Sequence, residues 1–256
     1  MKRAERSRKG IRTAFILGAG LGTRMRPLTE HCPKPLLPLG GVPLITYAME
    51  HLRRAGIERF IVNTHHCAEA YDQAFPGHVW RGARMLFRHE PVLLDTGGGL
   101  KNIEDLLGED ETILVYNGDI LTDLPLENLM VRHFETGKEV TLALRSQGEP
   151  RNVNIDAAGY VCDLRHTLGN PGVQSCLFTG IYIVEKSFLR RIPPGVKQDI
   201  VPVFLDMIRQ RPQAVAAAVI DAGAWCDVGT PALYEALNDS RGNFPLAPGK
   251  AAGEGA

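Results

Sequence analysis

The chain has 256 residues, and its 29 Lys and Arg balance 29 Asp and Glu, so the formal charge is zero. That balance excludes a broad electropositive surface for nucleic acid or anionic lipid, and no nucleic-acid partner is expected. The 27 glycines exceed an average protein's share, yet 44% hydrophobic residues support a buried core and exclude disorder or collagen-like repeats. Residues 1–10 read as a basic flexible tail with five Lys or Arg and one Glu, and 241–256 as a low-complexity flexible tail. A single domain is expected over 11–240. Its first element is the apolar run Thr13–Leu17, a buried strand. A loop rich in Gly and Pro follows, then a helix over Leu44–Ala55 with Leu44, Tyr47, Ala48, Leu52 and Ala55 at helical spacing. Arg59–Asn63 reads as the next strand. Further strands are expected at Arg84–Arg88, Thr112–Tyr116, Val140–Arg145, Cys176–Val184 and Val215–Ile220. Helices are expected near Gly98–Leu107, Gln198–Gln210 and Pro231–Asn238. The early alternation of strand and helix predicts an α/β fold, a three-layer α/β/α Rossmann-like arrangement around a mixed, mostly parallel sheet.

Five cysteines, at 32, 67, 162, 176 and 226, form no C-x-x-C pair, so neither a disulfide framework nor a zinc site is read. That usage fits a reducing cytoplasm, where the protein is expected to reside. No apolar run approaches the ~20 residues of a membrane span, so no membrane partner is expected. His65-His66-Cys67 lacks a second pair at zinc spacing and reads as a strand end. No oligomeric state is legible.

The richest segment runs from Leu17 to Pro35. A glycine cluster after a first strand suggests phosphate binding, because backbone N–H groups there approach an anion closely. Two common templates fail. Starting at Gly18, both G-x-G-x-x-G and the P-loop require glycine where Thr23 stands. What remains is Gly18-x-Gly20-x-Gly22-Thr23-Arg24, then Pro33-Lys34-Pro35. This combination resembles the sugar-1-phosphate nucleotidylyltransferases, or NDP-sugar pyrophosphorylases, whose signature is G-x-G-T-R followed by P-K-P. The resemblance covers most of residues 13–238 and implies the three-layer nucleotidyltransferase fold. Leu17-Gly18-Ala19-Gly20 stands where the family usually shows Leu-Ala-Ala-Gly.

The resemblance implies nucleotide contacts at Leu17, Gly18, Ala19, Gly20, Gly22 and Thr23, with Arg24 and Lys34 as catalytic cations. The chemistry agrees. Arg24 offers a planar fork of donors to the β- and γ-phosphates, and Lys34 a point charge at the α-phosphate. The flanking prolines restrict the backbone that carries Lys34.

The strand Thr112–Tyr116 runs into Asn117-Gly118-Asp119, and open α/β sheets place ligand chemistry at such strand ends. Far downstream stands Trp225-Cys226-Asp227-Val228-Gly229-Thr230. Family members carry this pair of motifs as Mg²⁺ ligands, so Asp119 and Asp227 are implied to hold Mg²⁺, with Asn117 and Gly118 beside the nucleotide. Magnesium suits one or two carboxylates plus phosphate oxygens.

Asp95-Thr96-Gly97-Gly98-Gly99 opens the second expected helix, and the resemblance implies that Thr96, Gly97 and Gly98 meet the nucleobase and its sugar. Thr179 and Gly180, in Phe178-Thr179-Gly180-Ile181 where many members read N-A-G, are implied sugar contacts, as is Asp199. This wording is similar to the short N-acetylmuramate-1-phosphate uridylyltransferases. The E-K-P lysine by which many members hold the sugar phosphate is absent from Val161–His166, leaving that anchor open, with Arg165 read either as a substitute or as a solvated strand-end arginine.

The implied reaction joins an NTP and a sugar 1-phosphate into an NDP-sugar and pyrophosphate, foremost UTP with N-acetylmuramate 1-phosphate. Guanylyl, cytidylyl or thymidylyl transfer to mannose or glucose 1-phosphate is the alternative, as is a catalytically silent sugar-nucleotide-binding domain. A glycosyltransferase would need D-x-D, and Asp119 and Asp123 are spaced too widely.

Overall fold

The computed structural model describes residues 10–108 and 111–239, so both expected tails, Gly10 apart, lie outside the described residues. The chain opens with β1 (Thr13–Leu17), the short pair β2 (Pro38–Leu39) and β3 (Val42–Pro43), α1 (Ile45–Arg54) and β4 (Arg59–Thr64). It continues with α2 (Glu69–Ala74), β5 (Val79–Trp80), β6 (Ala83–His89), α3 (Asp95–Lys101), β7 (Thr112–Asn117) and β8 (Ile120–Thr122). Next come α4 (Leu126–Thr136), β9 (Val140–Arg145), β10 (Arg151–Ile155), β11 (Val161–Leu164) and β12 (Gln174–Glu185). The last elements are α5 (Ile200–Gln210), β13 (Val215–Val219), β14 (Trp225–Asp227) and α6 (Pro231–Asp239).

At the centre, β1 lies between β4 and β7, parallel to both, and β6 continues the parallel run beyond β4. The long β12 turns the sheet mixed. It runs antiparallel to β7 and β9, and its first half pairs with β10. A strand buried on both faces must be apolar throughout, and Ala14, Phe15 and Ile16 have no exposed surface. Their side chains alternate between two cores. Phe15 packs with Leu100 of α3 and Phe204 of α5 on one face. Ala14 and Ile16 pack with Ile45, Met49 and Leu52 of α1 and Leu129 of α4 on the other. The result is the expected three-layer sandwich.

Several elements depart from the sequence expectation, α2, β8, β10, β11 and β14 among them. The helix expected near Gly98–Leu107 begins at Asp95 and ends at Lys101, and a separate 3-10 turn covers Glu104–Leu106. Its three glycines sit inside the helix because neighbouring chain leaves no room for side chains. A Cβ on Gly98 would stand 2.5 Å from Val196 O, and one on Gly97 2.9 Å from Gln198 O. The helix α4 was not expected. It buries Leu126, Leu129 and His133 at helical spacing and stops at Gly137, whose φ of 57° is left-handed.

The site is built where β1 and β7 end. Leu17 pairs with Asn117, and Gly118 N then donates to Leu17 O at 3.1 Å. After Gly118 the chain doubles back through β8, which pairs antiparallel with β14 so that Ile120 faces Asp227. A Cβ on Gly118 would meet Leu17 O at 2.6 Å. Gly118→Ala is therefore expected to destabilise the fold by about 1–3 kcal/mol in denaturant unfolding. Wild-type stability in that variant would mean that the two strand ends are not held this closely.

Candidate active site

Each functional side chain reaches the strand ends by a different local device. Thr23–Met25 forms a 3-10 turn led by left-handed Gly22 and presents Arg24 outward, while Met25 anchors the turn in the core. Thr29 Oγ1 donates to Gly22 O at 2.8 Å and locks the loop. Lys34 opens a second 3-10 turn between its two prolines and is 8% exposed. Asp119 follows β7, and Asp227 ends β14, with Val228 N donating to Asp119 O at 3.0 Å.

These groups surround a cleft of about 550 Å³. Leu17, Gly18, Ala19, Gly20, Gly22, Thr23, Arg24 and Lys34 line it. Thr96, Asn117, Asp119 and Asp199 line it as well. A second cavity of about 500 Å³ adjoins it, lined by Thr179, Gly180, Asp227 and Trp225 among others. Asn117 and Arg165 line both cavities.

The charges at the junction are coupled. Lys34 Nζ donates to Asp119 Oδ2 at 2.6 Å. Burial raises the Asp227 carboxyl above the ordinary aspartate range, and the Asp119 carboxylate raises it further, while Lys34 and Arg24 oppose both. Asp227 Oδ1 is buried with no hydrogen-bond partner. An orphaned carboxylate oxygen beside a second carboxylate is a donor set that fits a hard divalent cation completed by phosphate oxygens, as Mg²⁺ requires. No cluster of three or more His, Cys, Asp or Glu suited to a metal occurs among the described residues. The protein would thus supply two carboxylates and leave the other positions to substrate and water.

Not every expected contact faces the cavities. Gly97 and Gly98 both donate their N–H groups to Gln198 O, at 2.8 and 3.0 Å, and line neither cavity. They join α3 to the segment that leads into α5. Gly118 joins β1 to β7 in the same way. Thr179 lines the second cavity, but its hydroxyl is spent on Ala143 O at 2.8 Å. Asp199 caps α5 through Val201 N and receives Arg165 Nη1 at 2.6 Å. Gly20 differs from the packing glycines, since a Cβ there would touch nothing within 4 Å and its backbone is open to a ligand.

Sequence reasoning missed a buried polar chain behind the glycine loop. Gly18 N donates to Asn63 Oδ1 at 2.8 Å, and Asn63 Nδ2 to Glu90 Oε1 at 2.7 Å. Glu90, wholly buried, accepts Leu94 N on its other oxygen at 3.0 Å. The chain ties the phosphate-side loop to the entry of α3. The one hint was a polar Asn63 closing an apolar strand. Gly18 itself is explained by packing, because a Cβ would stand 2.8 Å from both Asn63 O and Tyr71 Oη. His65 and His66 bond to backbone carbonyls of Glu90 and Glu30, as strand-end residues.

Raising the Asp227 carboxyl has a sign for stability. A group whose folded value lies above its unfolded value costs stability once pH rises through the folded value, and the cost is absent below the unfolded one, about 4. With a chelator present, Asp227→Asn is expected to melt above wild type at about pH 7, the gap closing as pH falls toward about 4. A melting temperature at or below wild type throughout would mean that the Asp227 charge stabilises the apoprotein.

Residues 13–242 match the family model described as Nucleotidyl transferase. The chain is 32% identical over 225 residues to a mannose-1-phosphate guanylyltransferase of Mycobacterium tuberculosis, covering 85% of this chain and 61% of that protein. It is 31% identical over 206 residues to a UTP–glucose-1-phosphate uridylyltransferase of Synechocystis, covering 73% of this chain and 52% of that protein. The chain thus spans less than two thirds of either relative. Among solved structures, HddC from Yersinia pseudotuberculosis superposes with a TM-score of 0.72 at 22% identity, covering 90% of this chain and 99% of that one. A putative glucose-1-phosphate thymidylyltransferase from Bacillus anthracis gives 0.77 at 20% identity, covering 93% and 97%. The last two likenesses concern the fold. No helix among the described residues is long and apolar enough to cross a membrane. On the strength of the family match across nearly the whole described domain, the chain belongs to the nucleotidyl transferase family.

Proposed function

We propose that the chain transfers a nucleotidyl group from an NTP to the phosphate of a sugar 1-phosphate, forming an NDP-sugar and releasing pyrophosphate. The observation that carries this reading is the Lys34–Asp119 pair beside the orphaned Asp227 carboxylate, at the junction of two cavities. The attacking phosphate monoester is mostly dianionic near neutral pH, its second pKa being about 6. It needs no general base, so catalysis rests on alignment and charge.

The glycine loop, open at Gly20, receives the triphosphate. Arg24 grips the β- and γ-phosphates, and Lys34 stabilises charge that develops at the α-phosphate. Thr96 contributes to the wall around the base, with Gly97 and Gly98 holding that wall from behind. Asn117, which lines both cavities, sits between donor and acceptor. Asp119 and Asp227 would hold Mg²⁺, which when bound neutralises phosphate oxygens and favours their approach. Thr179 and Gly180 belong to the sugar side. In the free chain Lys34 already neutralises Asp119, so part of the charge arrangement exists before substrate binds.

For the base and sugar, we place GTP with mannose 1-phosphate first, supported by the Mycobacterium tuberculosis relative. A second reading, uridylyl transfer, is supported by the Synechocystis relative and by the Thr96-Gly97-Gly98-Gly99 wording. That wording alone supports N-acetylmuramate 1-phosphate as the acceptor.

A matrix of the four NTPs against several sugar 1-phosphates, scored by pyrophosphate release, tests the proposal. The highest rate is expected with GTP and mannose 1-phosphate. A maximum with UTP and N-acetylmuramate or glucose 1-phosphate would overturn that pairing, and silence in every well would overturn transfer itself. On the best pair, Lys34→Met is expected to lower kcat about 10²–10³-fold. A near-normal kcat would remove Lys34 from the mechanism.

A further inference from the structure

The motif His65-His66-Cys67 lines neither cavity, and Cys32 stands two residues before Lys34. The fold sets the two against each other. His66 Nε2 donates to Thr29 O at 3.1 Å and to Glu30 O at 3.0 Å, so the end of β4 clasps the loop that leads to Cys32. Cys67 Sγ lies 3.3 Å from the same nitrogen. Beyond Cys67, α2 packs against the 3-10 turn Lys34–Leu36. Each cysteine therefore enters one of two touching segments, Cys32 the turn and Cys67 the helix.

Both thiols are free and half-buried. Burial pushes the Cys32 thiol up, and charge on Cys67 pushes it further, which puts the two sulfurs in each other's field. Cys162 and Cys226, also half-buried, are pushed up by burial and by nearby aspartates instead. Cys67 has a base beside it. With Nε2 donating to two carbonyls, Nδ1 is the unprotonated nitrogen of a neutral His66, and it stands 3.7 Å from Cys67 Sγ. The thiolate is the reactive form of cysteine, and an acceptor for its proton favours it. Cys67 holds a left-handed φ of +47°, uncommon for a residue with a side chain, and its sulfur folds back onto His66.

We propose that Cys32 and Cys67 are a peroxide-sensitive thiol pair that closes to a disulfide and restrains the loop carrying Lys34. Cys67 passes its proton to His66 Nδ1, and its sulfur attacks one oxygen of hydrogen peroxide. The O–O bond breaks, hydroxide leaves and takes up that proton as water, and Cys67 becomes a sulfenic acid. The Cys32 sulfur then attacks the Cys67 sulfur, the S–O bond breaks, and hydroxide leaves as water with the Cys32 proton. Two thiols are oxidised, and one peroxide is reduced to two waters. A disulfide fixes its Cα atoms about 5.5–6 Å apart. In the proposed transfer Lys34 turns from Asp119 toward the α-phosphate, so a tether two residues away slows the reaction. The disulfide itself stands apart from the transfer reading, and the loss of rate rests on it.

The test treats the reduced full chain with hydrogen peroxide and maps its peptides by mass spectrometry without reductant. One cross-link is expected, joining the Cys32 and Cys67 peptides, as two of the five thiols are lost. Pyrophosphate release from the best pair of the substrate matrix is expected to fall about tenfold or more and to recover with dithiothreitol. Cys67→Ser is expected to keep its rate within about twofold of wild type and to lose none of it under the same peroxide. A map without that cross-link, Cys67 carried on to sulfinic acid included, overturns the pair, and so does equal inhibition of Cys67→Ser. A closed bond with an unchanged rate overturns the restraint on Lys34. Should Cys67→Ser melt early, Cys32→Ala decides by the same comparison. A wild-type chain that never releases pyrophosphate takes down the transfer reading, and the peptide map still decides the disulfide.

Discussion

Two carboxylates cannot share a half-buried cleft without a cation near them, and the rest of this molecule is arranged around that constraint. Asp119 and Asp227 lie far apart in the chain but meet across β8 and β14. Burial disfavours the Asp227 charge and the Asp119 carboxylate adds to the cost, as the raised Asp227 carboxyl records. Lys34 answers half of the problem by pairing with Asp119. The other half, the unpartnered Asp227 oxygen, is left for a ligand. Structural ion pairs are normally closed by their own partners. An open one at the mouth of two cavities marks a place where charge is meant to arrive.

The neutral composition fits this economy. On the proposed reading, a triphosphate and a sugar phosphate would be met by Arg24, Lys34 and one divalent ion placed locally, not by a basic surface. Glycine does two separate jobs. At Gly20 its missing side chain leaves backbone open to solvent and ligand. At Gly18, Gly98 and Gly118 it lets one segment lie against another, which is how the loop, α3 and the β7 terminus keep their spacing. Behind them, the Asn63–Glu90 chain transmits the position of β4 and β6 to both the glycine loop and α3.

Much of this was legible in the sequence. The apolar runs of β1, β4 and β7 announced buried parallel strands, and the Gly18–Arg24 and Pro33–Pro35 spacing marked the cleft wall. Other parts were not legible, for physical reasons. The helix α4 was hidden because its buried face is short and includes His133, which hydrogen-bonds Thr141 and so reads as polar. The glycines of α3 suggested open backbone, but the N–H groups of Gly97 and Gly98 are consumed by Gln198, a contact between segments about a hundred residues apart. Glu90 and Asn63 gave no pattern, since their partners are each other and the backbone N–H groups of Leu94 and Gly18, far off in the chain for Asn63. Arg165 was visible as a residue but not as a strained one; its left-handed φ belongs to the fold.

On the proposed reading, Asp119 and Asp227 act together as the protein's half of a divalent-cation site. Titration of Mn²⁺ into the substrate-free chain, followed by electron paramagnetic resonance, measures this directly. One site is expected in wild type, lost in Asp119→Asn and lost equally in Asp227→Asn. Unchanged binding in either variant, with the fold intact, would contradict it.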